Sequence, residues 1–151
     1  MKTMLGIILT KYIFLPSSFI FLFLGEIKAQ SILKIERITV STSVENRQPV
    51  GESDVFADSV GTLYCFTEIR GMGDFTTISH VWYHGENRRA EVKLNVRGYR
   101  WRTWSTKSIQ KDWTGEWRVD VVSADGKILK SKRFRIVKTN DSGANPDTVS
   151  N

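Results

Sequence analysis

The sequence predicts an all-β chain folded as a single antiparallel β-sandwich of immunoglobulin/fibronectin-like type, with about seven strands behind an N-terminal signal segment. Three observations carry that expectation. Apolar and polar residues alternate with period two in several runs, no segment sustains helical periodicity, and turn residues recur at roughly ten-residue intervals. A small barrel is the main alternative. The Cys…Trp…Cys core of true immunoglobulin domains is missing, so the kinship is one of architecture.

The clearest strand is AEVKLNV, in which Ala90, Val92, Leu94 and Val96 alternate with Glu91, Lys93 and Asn95. Such a run buries one face and wets the other. GEWRVDVVS repeats the pattern, with Trp117, Val119 and Val121 inward against Arg118 and Asp120. Ala124, Asp125 and Gly126 then supply a turn, and KILKSKRFRIVK returns as the hairpin partner. Upstream, ILKIERITV is a strand, and GTLYCFTEI is apolar on both faces, as a central strand would be. TISHVWYH is joined to AEVKLNV by the loop GENRR, and YRWRTWSTKSI (99–109) completes seven. The stretch ENRQPVGESDVFADS (45–59) is expected to hold no regular element, because Pro49, Gly51 and its polar residues interrupt any period.

Before the domain, Lys2 and Lys11 lead into an apolar run over 12–25 and a short polar piece ending at Ala29. That is the pattern of a secretory signal over 1–29 cut after Ala29; the alternative is an uncleaved anchor, since residues 4–25 reach the ~20-residue length of a bilayer span. The domain is expected over 30–138. Residues 139–151 have no large apolar side chain except Val149 and are expected to be disordered.

With 151 residues the chain has room for one domain, and 40% hydrophobic against 25% charged residues is a globular balance. Its one cysteine, Cys65, excludes an intrachain disulfide framework and reads as a small buried hydrophobe. The formal charge is +6, of which Lys2, Lys11 and Lys28 against Glu26 supply +2, leaving about +4 on the mature chain. A mild basic excess outside the cytoplasm suits acidic envelope polymers or lipid headgroups rather than nucleic acid, and is also what a plain solvated surface gives. The partner expected is an acidic envelope polymer or another envelope protein. The membrane enters only through the N-terminal segment, if that segment is retained.

Catalytic and metal chemistry find little to work with. His80 and His84 are the only histidines, and on a strand they stand roughly 13 Å apart. Ligands lie about 2 Å from a metal, so no metal and no cofactor is expected. Ser105, His80 and Asp120 could be imagined as a triad, but no nucleophile elbow surrounds Ser105. Glu68 and Asp74 flank the GMGD loop without a second acid at glycosidase spacing. No catalytic residue is assigned, and the chain is not expected to be an enzyme.

What remains is the aromatic and basic strand. Alternation puts Tyr99, Trp101, Thr103, Ser105 and Lys107 on one face, and Arg100, Arg102, Trp104 and Thr106 on the other. One of Trp101 and Trp104 is expected in the core, and the other is free to stack on a ligand with arginine beside it. The competing role for Arg100 and Arg102 is to cover aromatic surface with their stems. Arg100, Trp101, Arg102, Trp104, Lys107 and His80 are therefore the candidate binding residues.

The same residues carry a resemblance. His80 and Trp82, then Trp101, Arg102, Trp104, Ser105 and Lys107, then Gly115, Trp117, Arg118 and Val119, then Gly126 and Phe134 follow in order. From about Arg37 to Val137 this resembles the bacterial domain of unknown function 2914, with Phe134-Arg135-Ile136 departing slightly from its last strand. The resemblance implies an exported or membrane-tethered protein and transfers no catalytic residue. The expected function is thus a non-catalytic interaction module of the cell envelope, the alternatives being an anchored scaffold and an enzyme with an unrecognised site.

Overall fold

The computed structural model describes residues 33–71 and 75–139. The expected signal or anchor, residues 72–74 of the GMGD loop, and the tail from 140 onward lie outside the described residues. Ten strands follow in order: β1 (Leu33–Ser41), β2 (Ser43–Glu45), β3 (Gln48–Val50), β4 (Val55–Ala57), β5 (Thr62–Gly71), β6 (Thr76–His84), β7 (Asn87–Val96), β8 (Arg100–Ser108), β9 (Gly115–Ser123) and β10 (Ile128–Val137). They build a sandwich from a three-stranded sheet, β1-β5-β8, and a five-stranded sheet, β4-β10-β9-β6-β7.

Seven of these strands are the seven alternating runs. The count differs because the stretch between β1 and β5 is not irregular. Asn46 and Arg47 both take positive φ, 49° and 59°, which closes β2 and β3 into a tight hairpin. β4 pairs with β10 in parallel, so the sheet is mixed rather than purely antiparallel. Three-residue strands show no readable period, and a parallel partner so far along the chain leaves no local trace.

β5 is buried on both faces, as a central strand should be. Leu63, Cys65, Thr67 and Ile69 point between the sheets, while Phe66 faces outward yet is fully buried. Thr39 and Trp104 flank Phe66 in register. The β2–β3 hairpin folds back over this outer face, so that Arg47 at its tip donates to the Arg102 carbonyl at 3.3 Å. The core between the sheets has two centres. One gathers Val40, Cys65, Trp82, Trp117, Phe134 and Ile136; the other gathers Ile35, Ile69, Ile78, Val96 and Val121.

Burial pushes the Cys65 thiol up to about 12 against a weaker opposing hydrogen bond from Thr67. A neutral, enclosed thiol is a poor nucleophile. Cys65 should therefore resist a thiol reagent such as Ellman's until denaturant is added; rapid labelling of the native protein would contradict its placement.

Candidate functional site

β8 is the edge strand of the three-stranded sheet, and its alternation matches the expected one. Trp101, Thr103, Ser105 and Lys107 pair with the inward residues of β5, whereas Arg100, Arg102, Trp104 and Thr106 pair with the outward ones. Trp101 is the tryptophan that packs onto the core, beside Ile69. Trp104 is the outward one and sits half-buried beside Phe66.

The two arginines of this strand differ. Arg102 donates to Glu68 across the sheet at 3.2 and 3.4 Å. Arg100 stands in register with Arg70, which approaches Glu36 at 3.6 Å. Arg102 is thereby compensated while Arg100 faces a like charge, and surface pairs of this kind contribute little individually.

His80 lies inside the sandwich rather than at its surface. It is fully buried, with Nε2 at 2.9 Å from Thr67 Oγ1 and Nδ1 at 2.9 Å from Ser105 Oγ. Trp82 Nε1 donates to the same Ser105 oxygen at 3.1 Å. Four polar side chains thus tie the two sheets together, and desolvation lowers the His80 pKa to about 4. The Ser105–His80 contact imagined for a triad does exist. Its third member does not: Asp120 points to the opposite face of β9, where Arg118 and Ser131 bind it at 3.0 and 2.6 Å. A histidine and serine without solvent access form a structural cross-link, and His80 leaves the set of surface binding residues.

The residue that sequence reasoning passed over is Trp113, in the β8–β9 connection. Its backbone carbonyl accepts from Trp117 Nε1 at 3.0 Å, which fixes the connection against the core. Its half-buried ring leans on Trp117 and His84, at centroid distances of 5.8 and 6.4 Å. His84 in turn stacks on Trp117 at 4.8 Å and lies 2.7 Å from the Thr114 carbonyl through Nε2. Two cations converge on the Trp113 ring: Arg89 from β7 at 4.8 Å and Lys107 from β8 at 5.0 Å. Neither forms an ion pair with a carboxylate among the described residues; Lys107 only donates to the Ser108 carbonyl. β7 and β8 are the edge strands of the two sheets, so this cluster sits where the sandwich edges meet.

The aromatic face attracts both cations, each contact contributing on the order of 1 kcal/mol. Their mutual repulsion remains. The two cations leave this end with a local excess of positive charge on an aromatic base. No group of three or more metal-ligating side chains occurs among the described residues.

No curated protein matches the sequence. Among solved structures, a cycloisomaltooligosaccharide glucanotransferase of Paenibacillus sp. aligns at TM-score 0.47 and 14% identity over 72% of this chain and 14% of that one. A β-glucosidase of Erythrobacter marinus aligns at TM-score 0.49 and 12% identity, over 71% of this chain and 16% of that one. A family 3 β-glucosidase of Bifidobacterium adolescentis aligns at TM-score 0.42 and 10% identity, over 71% of this chain and 17% of that one. The chain spans less than a fifth of the length of each, and likenesses this distant say nothing about activity. The sequence signature is another matter, since the strands that hold it are β6 to β10: residues 75–136 match the family described as "Protein of unknown function (DUF2914)", a shorter span than the resemblance suggested.

Proposed function

We propose that this domain is a non-catalytic interaction module of the bacterial cell envelope that binds an acidic polymer at the Trp113 end of the sandwich. The observation that carries the reading is the convergence of Arg89 and Lys107 on one ring with no acidic partner among the described residues. A polymer bearing repeated carboxylates or phosphates supplies the missing charge and can run along the edge where β7 and β8 meet. Of the residues first singled out on β8, Lys107 belongs to this site. Arg100 and Arg102 sit toward the other end of the strand, and Arg102 is neutralised by Glu68. Export behind the N-terminal segment and the lack of a catalytic role belong to the same proposal. Its support is the apolar run behind Lys2 and Lys11, and the burial of the Ser105–His80 contact.

The test is retention on polygalacturonate, with neutral dextran as control. The wild-type protein should bind the acidic polymer and release it as salt rises, because rim electrostatics are screened. Arg89→Gln with Lys107→Gln should weaken binding at least about tenfold by removing two charge-assisted contacts. Arg102→Gln should leave it unchanged. Wild-type affinity in the double variant, equal binding to dextran, or no binding to the acidic polymer would each defeat the reading.

A further inference from the structure

The opposite end of the sandwich differs in character. Register brings four features together there. Leu33 at the start of β1 pairs with Gly71, and the Gly71 N–H donates to the Tyr99 carbonyl at 2.9 Å. Thr76 pairs with Val96 and Ile78 with Ser123, so the start of β6, the β7–β8 turn and the β9–β10 turn share this end. Three large apolar side chains are exposed at it: Phe75 at 80%, Tyr99 at 57% and Ile128 at 57%. Arg97, Arg100 and Lys127 stand exposed among them, with Asp125 of the same turn beside Lys127. Glu36 nearby is shared by Lys34 and Arg70 at 3.1 and 3.6 Å, with Arg100 also acting on it, so cations outnumber it.

We infer that this end rests on an anionic lipid bilayer. Exposed aromatic and aliphatic tips ringed by arginine and lysine match the two attractions of a membrane surface, shallow insertion at the headgroup boundary and Coulomb attraction to acidic lipids. The covalent order agrees. The apolar run of residues 12–25 joins the domain through Leu33, at this end and not the other. Eight peptide steps from Gly25 to Leu33 reach at most about 28 Å, so a membrane-inserted run would hold Leu33, and with it this end of the sandwich, near the bilayer. The Trp113 end would then face away from the lipid. The inference does not depend on the polymer reading, because it rests on other residues.

The full chain is reconstituted into phosphatidylcholine vesicles with and without phosphatidylglycerol. A polarity-sensitive fluorophore is placed at Ala124→Cys, in the β9–β10 turn, or at Glu86→Cys, in the β6–β7 turn at the far end; enclosed Cys65 stays unlabelled. In vesicles containing phosphatidylglycerol, the probe at 124 should shift to the blue and be quenched by spin-labelled lipid, while the probe at 86 should not. Arg97→Gln with Arg100→Gln should lower the docked-to-undocked ratio about 25-fold, roughly fivefold per charge. Phe75→Ser with Tyr99→Ser should also lower it, with continued protection of Cys65 showing that the fold persists. The inference is overturned if the probes at 124 and 86 respond alike, or if the response is equal in both vesicle types. A shift produced by concentrating the protein without lipid would assign the surface to self-association and overturn it equally.

Discussion

Trp117→Ala should destabilise the domain by about 3–5 kcal/mol, the range for deleting a large buried aromatic. Trp117 is 1% exposed and stands at the centre of the ring cluster. It stacks on His84 at 4.8 Å and on Phe134 at 6.0 Å, and Phe134 meets Trp82 and Phe56 edge-on at 6.2 and 6.0 Å. Alanine would leave a void bordered by rigid rings that cannot close around it, so the loss should fall toward the upper part of that range. The indole also holds the β8–β9 connection through its bond to the Trp113 carbonyl. Trp117→Phe separates the two roles: it keeps most of the ring volume and should lose only about 1 kcal/mol for the hydrogen bond. It should nevertheless weaken polygalacturonate binding, because Trp113 would no longer be pinned against Arg89 and Lys107. Denaturant unfolding of both variants checks this, and a midpoint for Trp117→Ala equal to wild type would place the indole outside the core.

That the core position of Trp117 was legible follows from parity. Trp117, Val119 and Val121 share a face, and strict alternation has one physical reading. The same parity puts His80 with Ile78 and Trp82, so its burial is legible in the sequence; a histidine's chemistry, not its position, is what suggests a surface role. Arg102 is harder. Its neutralisation by Glu68 depends on the β5–β8 register, which no local pattern encodes. Trp113 escaped because it lies in a connection without period, between strands whose own tryptophans were easier to rank. One signal was available: a large aromatic in the polar run KDWTGEW has no strand face to bury it and must find a partner elsewhere. The short strands β2 and β3 hinge on two residues with positive φ, neither of them glycine, so the usual hairpin signature was missing.

Acidification from pH 7 to pH 5 should cost the domain about 2 kcal/mol through His80 alone, before the carboxylates begin to matter. Desolvation lowers the folded-state pKa of His80 from 6.5 to about 4. Between those values the unfolded chain binds a proton that the native protein refuses, so stability is full above pH 6.5 and falls as pH drops toward 4. The network shows why the native state refuses it. Trp82 N–H donates to Ser105, Ser105 O–H can donate to Nδ1, and Nε2–H can donate to Thr67, which satisfies a neutral ring. A second ring proton would force Nδ1–H against the Ser105 hydroxyl hydrogen inside the core, leaving a buried donor without an acceptor. Cys65, the ionisable neighbour on β5, stays neutral throughout because its pKa is raised to about 12. Carboxylates held down in the fold act at lower pH. Asp58, bonded by the Thr139 hydroxyl and then its backbone N–H, and Glu36, bonded by Lys34, start from ordinary values of 3.8 and 4.5 and lose their contribution below them. Urea unfolding at pH 7, 6 and 5 resolves the two windows. His80→Gln, which can still bond at one end of the network, should be less stable at pH 7 but nearly flat across this range. A wild-type stability that does not change between pH 7 and 5, or a variant that retains the full slope, would mean that His80 is not the group whose protonation opens the sandwich.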